Sequence, residues 1–525
     1  RGETREEWEE RVRSSPIPNQ VESRWNSDAL NICSNRSMIH EYRRKMTDPT
    51  PPLAATNGNG NDESFDEMAL YGGRMKTIII VLCKYRLSLI NMQKPSNVRV
   101  FVVTPPRLLI DEEGIDVIYQ VETPVGDQDL TPLLSKAREL AQNFSITQVR
   151  VIAFEQSLQQ PLAKMRYEMD IEGFTHEQLD VLSRLREASQ ITRRGGIATP
   201  KQTSFSGTSR PASWMESLPP KIGGFPLYVR PASGTTDAGK SIVGVTRLEN
   251  DDDLRMWIRR IYSSCSPSSN WVLEECYEDG LDFVAMCTAI SGLIYCVSTV
   301  DYERTMFESI STCKPYVLQV YSIDQTRDML PGLESFVNQT TKALFANNYS
   351  GALFIRGFYK GHNDIFLMSV ELQPSAETIR NLIAMPKESP GWETIALMSF
   401  FATDASEFDF GTHSFNAVIN VPSAEGLLMH QTMIPKRKTS SMRVAWRVAE
   451  FAEIKDADGI DGNVVQVFMS NSDNKRLTDE MKDVIGRLDI PIDRITLAER
   501  AAACRKQLSR LGGAREFVRS CTTTD

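Results

Sequence analysis

The chain is poor in the residues that most often build metal and nucleophilic centres. Its 525 residues include five histidines, His40, His176, His362, His413 and His430, with no i, i+4 pair and no Glu-x-x-His arrangement, so a histidine-based metal centre has no support. The nine cysteines are spread out with no CxxC pair, which argues against a zinc cluster and a disulfide framework; reduced thiols of a cytosolic protein are expected. No GxSxG motif is present, which disfavours the nucleophile elbow of an α/β-hydrolase. The longest strongly apolar stretch, Thr77 to Cys83, runs into Lys84 and Arg86, far short of the ~20 apolar residues that span a bilayer. A long basic run is also missing. Lys and Arg total 59 against 68 Asp and Glu, a net charge of −9, which disfavours nucleic acid as the main partner. Residue 1 is Arg rather than Met, consistent with a fragment or a removed leader, and the cytoplasm is the default location.

What is present suits a globular protein: 41% hydrophobic and 24% charged residues, with length for about three domains. Residues 1–72 carry mixed charge and the tract from Pro49 to Asp62, rich in Pro, Gly and Asn. This predicts a mostly disordered extension with one short helix near Glu6 to Val12. From Met75 the texture changes. Lys76–Cys83, Val98–Thr104, Val117–Val121 and Gln148–Ala153 are β-branched runs of strand length, with an amphipathic helix at Leu130–Phe144 between the last two. Strands alternating with helices predict a small α/β domain with a parallel sheet, at residues 73–165. Residues 170–195 read as helical and stop at Gly195-Gly196, and Thr199–Pro211 reads as a polar connection. Beyond Leu227, strand-like runs follow one another at hairpin distance, which predicts a largely antiparallel sheet with flanking helices. The fold class is therefore α/β followed by α+β, with boundaries expected at 166–390 for the second part and 391–525 for a completing region and tail. The run Glu249–Asp253 is read as a solvated helix start.

Three stretches carry chemistry. In Gly224–Val245 a strand ends at Arg230 and gives way to a loop of small and hydroxyl residues, Ser233, Gly234, Thr235 and Thr236, with Lys240 further on. Closely approaching backbone N–H groups, hydroxyls and a cation make a polyphosphate clamp, although the stretch does not match the GxxxxGK[ST] loop and reads equally as a flexible surface loop. In Trp271–Val284 an apolar strand runs into Glu274, Glu275 and Cys276, then Glu278, a turn at Gly280 and Asp282. Backbone groups leaving a ladder can read an adenine edge and a carboxylate can accept from ribose hydroxyls; an ordinary acidic hairpin reads the same. In Gly351–Pro374, Glu371 and Gln373 stand two apart. On one strand they share a face and can offer two oxygens to Mg²⁺, or simply form a polar face.

The order of these parts resembles the ATP-grasp superfamily over about residues 76–500, and the strand-like runs from Met442 and Val464 resemble the closing part of its carboxylate-amine ligase (carnosine-synthase-like) branch. The resemblance implies an ATP-grasp fold preceded by a small parallel-sheet domain. It also implies ATP and Mg²⁺ as cofactors, and phosphorylation of a small carboxylate followed by attack of an amine or amino acid. Neither nucleic acid nor membrane is implied as a partner; a homo-oligomer is open. By position, Arg230 stands where the family has a lysine on the α-phosphate, and Ser233 to Lys240 match its phosphate loop. Glu274, Glu275, Cys276 and Glu278 fall on the adenine hinge, Asp282 on the ribose carboxylate, and Glu371 and Gln373 on a metal acid and its neighbouring asparagine. The lysine of the lead-in helix is replaced by Arg184 or a neighbour.

The departures concern the metal. The strand Ala352–Tyr359 lacks the family's other metal acid and offers Arg356, which can compensate phosphate charge but supplies no ligand oxygen. Ser375, rather than an arginine, follows Pro374. His362 and Asp364, on the hairpin turn, are the nearest substitutes for the missing oxygen, while Glu393, Asp404 and Arg443 cannot be assigned from sequence. Three readings follow: an ATP-dependent ligase, a degenerate nucleotide-binding pseudoenzyme, and an interaction scaffold that retains the fold.

Overall fold

The structure is a computed structural model that describes residues 77–493 apart from 85–86, 88, 90–91, 107–113, 123–128, 146–147, 184, 207–217, 232–245, 265–269, 278–279, 289–291, 300–305, 346–348, 350, 375–376, 384–390, 403–413, 435–438, 458–460, 489 and 491. The expectations for the N-terminal extension, the phosphate loop, Arg184, Glu278 and Asp404 therefore lie outside the described residues.

The β-branched runs become the strands β1 (Thr77–Leu82), β2 (Val98–Thr104), β3 (Val117–Gln120) and β4 (Val149–Ala153), a parallel sheet in the order β3-β2-β1-β4. Every residue of β1 after Thr77 is buried, as a parallel strand covered on both faces requires. The helices α1 (Thr131–Gln142) and α2 (Gln156–Met169) accompany this sheet, and α3 (His176–Ser183) and α4 (Leu185–Arg194) lead onward.

Two antiparallel sheets follow. The smaller has the order β5 (Gln202–Ser206), β8 (Asn270–Glu275), β6 (Leu227–Pro231), β7 (Thr246–Leu248). One of its faces packs Leu227, Val229, Leu248 and Leu273 against α5 (Leu218–Ile222) and α6 (Asp251–Ser264). Helix α6 begins with three acids, and Asn250 Oδ1 accepts from the N–H groups of Asp252 and Asp253 at 3.0 Å each; the acidic run is the helix start expected of it. The strand β5 corrects the reading of Thr199–Pro211 as mere polar connection. An edge strand needs only partners for its backbone, and β5 finds them in β8 from Gln202↔Glu274 to Ser206↔Asn270.

The larger sheet has eight strands in the order β13 (Asp364–Glu371), β12 (Ala352–Gly361), β9 (Leu281–Thr288), β10 (Gly292–Thr299), β11 (Tyr316–Ser322), β14 (Phe415–Pro422), β18 (Asn463–Asn471), β16 (Ser441–Trp446), each antiparallel to its neighbours. Alternation divides it. Phe283, Ala285, Leu353 and Ile355 join one cluster with the helix α9 (Leu333–Phe345), beside which α8 (Ile323–Met329) lies, whereas Val284, Met286, Phe354 and Leu318 join another. That second cluster also holds Ile79 and Val81 of the parallel sheet and the helices α10 (Glu377–Ile383) and α11 (Trp392–Met398). Trp392 is its centre, with its ring edge-on to Phe154 at 5.0 Å and to Phe354 at 5.5 Å. A short helix α7 (Met306–Ser311), a three-stranded sheet of β17 (Glu453–Ile454), β15 (Gly426–Leu428) and β19 (Ile492–Asp493), and the helix α12 (Asn474–Arg487) complete the described chain. No helix among the described residues is long and apolar enough to cross a membrane.

Candidate functional site

The small sheet turns its apolar face to its own helices, so alternation leaves Tyr228, Arg230 and Glu274 on the other face, with Tyr228 directly opposite Glu274. Arg230 Nη2 lies 2.7 Å from Glu274 Oε2, and the Glu274 side chain is 2% exposed. The Arg230 Nε is buried without an acceptor, so the guanidinium keeps a donor in reserve beside its carboxylate.

Glu275 ends β8 at the hinge between the sheets. Its N–H donates to the Lys201 carbonyl at 2.9 Å, and its Oε2 accepts from the Lys201 N–H at 3.3 Å and the Tyr277 hydroxyl at 3.4 Å. Cys276 follows, partly buried. The Tyr277 ring lies against the β12–β13 hairpin, 4.1 Å from Phe366 and stacked at 5.7 Å on Phe358, with the Lys360 ammonium 5.6 Å from its centre. Burial, then the Glu275 charge, pushes the Tyr277 phenol well up. Gly280 closes the hinge where a Cβ would sit 2.7 Å from the Phe358 ring and 2.8 Å from the Tyr359 carbonyl oxygen. The lead-in segment is pinned too: Arg193 donates to Thr199 Oγ1 at 2.8 Å and to the Pro200 carbonyl at 2.8 Å, and the Leu367 N–H donates to the Ala198 carbonyl at 2.9 Å.

On the large sheet, three charged residues share one face of adjacent strands. Arg356 on β12 pairs with Val284 of β9 and Ser369 of β13; Asp282 pairs with Phe358, and Glu371 with Phe354. Asp282 and Glu371 thus flank Arg356 diagonally from either side, at the ~7–8 Å of diagonal neighbours. Asp282 Oδ2 accepts from the Met306 N–H at 2.7 Å, anchoring the start of α7. Burial raises its carboxyl above the usual range, while the Arg356 charge and that N–H act against the rise. Glu371 accepts from Ser369 Oγ at 3.2 Å. β13 ends at Glu371, so strand alternation fixes the face of Glu371 and not that of Gln373. His362 and Asp364 sit at the opposite end of the hairpin from Glu371. Asp364 is seven residue steps along the strand from Glu371, about 23 Å at ~3.3 Å per residue, so neither supplies the missing oxygen beside Glu371. Among the described residues no three His, Cys, Asp or Glu side chains gather in a metal-binding group.

A ring contact joins the two faces: Tyr228 of the small sheet meets Phe307 of α7 at 4.9 Å, one residue after the N–H that Asp282 holds. Arg230 and Glu274 are thereby placed on the same side as Asp282 and Arg356. Further along the large sheet Gln466 Nε2 donates to Asn420 Oδ1 at 2.8 Å and Thr378 Oγ1 at 2.9 Å, and the Thr378 hydroxyl donates to Asp461 at 2.9 Å. Glu393 is 6% exposed, and burial pushes its carboxyl up to about 7 against the lowering influence of Arg380.

No protein-family model matches the chain, and a search of the curated proteins finds no match. Solved structures do match. The L-amino acid ligase from Bacillus licheniformis superposes with a TM-score of 0.51 at 14% identity, covering 80% of this chain and 100% of that one. The chain has the ATP-grasp fold. Carboxyaminoimidazole ribonucleotide synthase from Aspergillus clavatus, complexed with ATP, matches at a TM-score of 0.49 and 12% identity, over 79% of this chain and 100% of that one. Phosphoribosylglycinamide synthetase from Anaerococcus prevotii matches at 0.47 and 11%, with coverages of 79% and 100%. Tyr277 and Lys201, both bonded to Glu275, and Arg193, bonded to the Thr199–Pro200 segment before Lys201, are the neighbours of the candidate residues that sequence reading passed over. Tyr277 carried one usable signal, an aromatic between the acids of the hinge and the turn glycine.

Proposed function

We propose that the protein is an ATP-dependent ligase that activates a small carboxylate as its acyl phosphate and transfers the acyl group to an amine or amino acid. The observation that supports this most directly is the convergence of the two sheets. The Tyr228–Phe307 contact sets Arg230 and its spare Nε donor on the side where Asp282, Arg356 and Glu371 share one face.

On this reading the hinge backbone at Glu275–Tyr277 takes the adenine edge, and Arg230, held by Glu274, meets the phosphates together with Ser233–Thr236 and Lys240. Asp282 orients the ribose side of the site while it anchors α7. The donor set fits Mg²⁺ held by a single protein carboxylate, Glu371, with substrate phosphates as its other ligands, since Mg²⁺ keeps most of its shell in water and phosphate. When bound, that ion neutralises charge on the transferring phosphoryl group. Arg356 adds a fixed positive charge from the sheet, and phosphoryl transfer asks little of a protein besides such positioning and charge stabilisation. Gln373 borders Glu371.

The alternative, a nucleotide-binding pseudoenzyme, draws on one observation: Arg356 occupies the strand where a second metal acid is expected. One assay separates the two. With Mg²⁺, ATP and a panel of amino acids, the ligase releases ADP only when a carboxylate is present, and hydroxylamine traps the acyl phosphate as a hydroxamate. Stabilisation by ATP with no ADP or hydroxamate across the panel would establish the pseudoenzyme, and no response to any nucleotide would end both readings.

A further inference from the structure

A cavity of about 40 Å³ lies where α2, the end of β4, the start of β12 and α11 meet. Its notable wall residue is Arg166, in the last turn of α2 and 6% exposed. Arg166 Nε donates to the Val151 carbonyl at 2.8 Å and Nη1 to the Phe174 carbonyl at 3.4 Å. Arg166 makes no ion pair with a carboxylate among the described residues. A buried cation without a counter-charge is costly, and desolvation alone pulls this guanidinium down to about 10. The group is also locked in place. Gly173 lies so close that a Cβ there would be 2.7 Å from Arg166 Cδ and 2.9 Å from Nε, so the side chain cannot relax outward past that backbone.

Two more polar side chains line the same space. Gln159, 5% exposed, donates its Nε2 to the Ala153 carbonyl at 2.7 Å. Trp392, 1% exposed, is the other, and its indole N–H donates to the neighbouring Glu393 carboxyl. Most of the remaining wall is apolar, including Phe154 and Ala396. We propose that this cavity is a binding site for a small carboxylate anion of one or two carbons, with Arg166 as its counter-ion.

The size sets the limit. At about 10–15 Å³ for each water-sized occupant, the space takes three to four non-hydrogen atoms, which suits formate or acetate and is too small to enclose an aromatic acid. The charge sets the sign, because a guanidinium in an apolar wall binds an oxyanion through charge-assisted hydrogen bonds that water does not weaken. The apolar wall accommodates a methyl group. Leu372, between Glu371 and Gln373, is part of that wall, so an occupant touches the segment that follows the candidate metal strand. The proposal does not depend on nucleotide binding.

The test uses the full chain without nucleotide. Sodium acetate is titrated against it at constant ionic strength set with sodium chloride, and tryptophan fluorescence and thermal midpoint are read. The wild type is expected to respond saturably to acetate and formate and not to benzoate. Arg166→Gln is expected to weaken acetate at least tenfold, and Ala396→Leu, which fills the cavity with Arg166 intact, to do the same; if the first variant does not fold, the second decides. No saturable response in the wild type, an equal response to chloride, or an undiminished response in either folded variant would overturn the proposal.

Discussion

The Arg230–Glu274 pair permits a quantitative test, because its two halves differ in what their loss leaves behind. The guanidinium and the carboxylate are 2.7 Å apart, with side chains 17% and 2% exposed. Replacing Arg230 by Met strands a buried carboxylate. Breaking a buried pair from one side costs about 3–5 kcal/mol, and the partial exposure of Arg230 lets water recover some of this, leaving about 2–3. Glu274→Gln keeps a carbonyl oxygen for the guanidinium and is expected to cost about 1–2 kcal/mol. The double variant Arg230→Met/Glu274→Leu removes both charges, and apolar replacement of a whole buried pair is often neutral. The cycle completed with Glu274→Leu alone should therefore show a coupling of at least about 2 kcal/mol in urea midpoints converted with the measured slopes. The same variants should separate stability from binding: the double variant recovers stability yet fails to be stabilised by ATP. Additive single effects would refute the pairing argument, and an undiminished ATP response in the double variant would refute the phosphate role of Arg230.

Glu393 should make stability fall with pH. Its folded pKa, about 7 against the ordinary 4.5, means that the folded state holds a proton that the unfolded state releases between these values; its contribution is therefore favourable below 4.5 and lost as pH rises to 7. Glu393→Gln should flatten that slope and raise stability at pH 8 by on the order of 2–3 kcal/mol, as urea titrations at pH 5 and 8 would show; parallel curves would exclude it. Gly280→Ala places a methyl 2.8 Å from the Tyr359 carbonyl oxygen, so a cost of about 1–3 kcal/mol and at least tenfold weaker ATP binding are expected by calorimetry. Ser322 closes a capping box with Gln325 at the start of α8. Ser322→Ala should cost about 1 kcal/mol in thermal unfolding without changing the ATP response, since α8 packs on the opposite face of the sheet.

The fold was legible where the pattern itself is physical. Buried parallel strands must be continuous apolar runs, and Thr77–Leu82 and Val98–Thr104 are such runs; antiparallel strands at hairpin distance announce themselves by alternation, as Ala352–Gly361 and Asp364–Glu371 do. Strand β5 was hidden because an edge strand needs little apolar side chain, only a neighbour for its backbone. The site was legible one strand at a time. That Glu274 stands diagonally across from Arg230 is a statement about register, and register between β6 and β8 is not written in either segment alone. Arg166 left no trace at all: an arginine in an amphipathic helix reads as solvated, and only the backbone of Gly173, together with the carbonyls of Val151 and Phe174, shows it to be enclosed.

Register also explains how the large sheet tolerates arginine at position 356. On one face of three adjacent strands the charges run Asp282, Arg356, Glu371, each about one diagonal step from the next. A carboxylate at 356 would place three negative charges within ~15 Å of strand surface and require a cation to be present before the strands could pack. Arginine leaves a net charge of −1, and the low-dielectric surroundings that raise the Asp282 carboxyl also strengthen its attraction to Arg356. The sheet can thus fold without a metal. On the proposed reading, Glu371 is the one carboxylate left to meet an ion that arrives with the nucleotide, and the balance of charge on the triphosphate falls to Arg230 and Arg356, fixed on two sheets that the Tyr228–Phe307 contact holds in register.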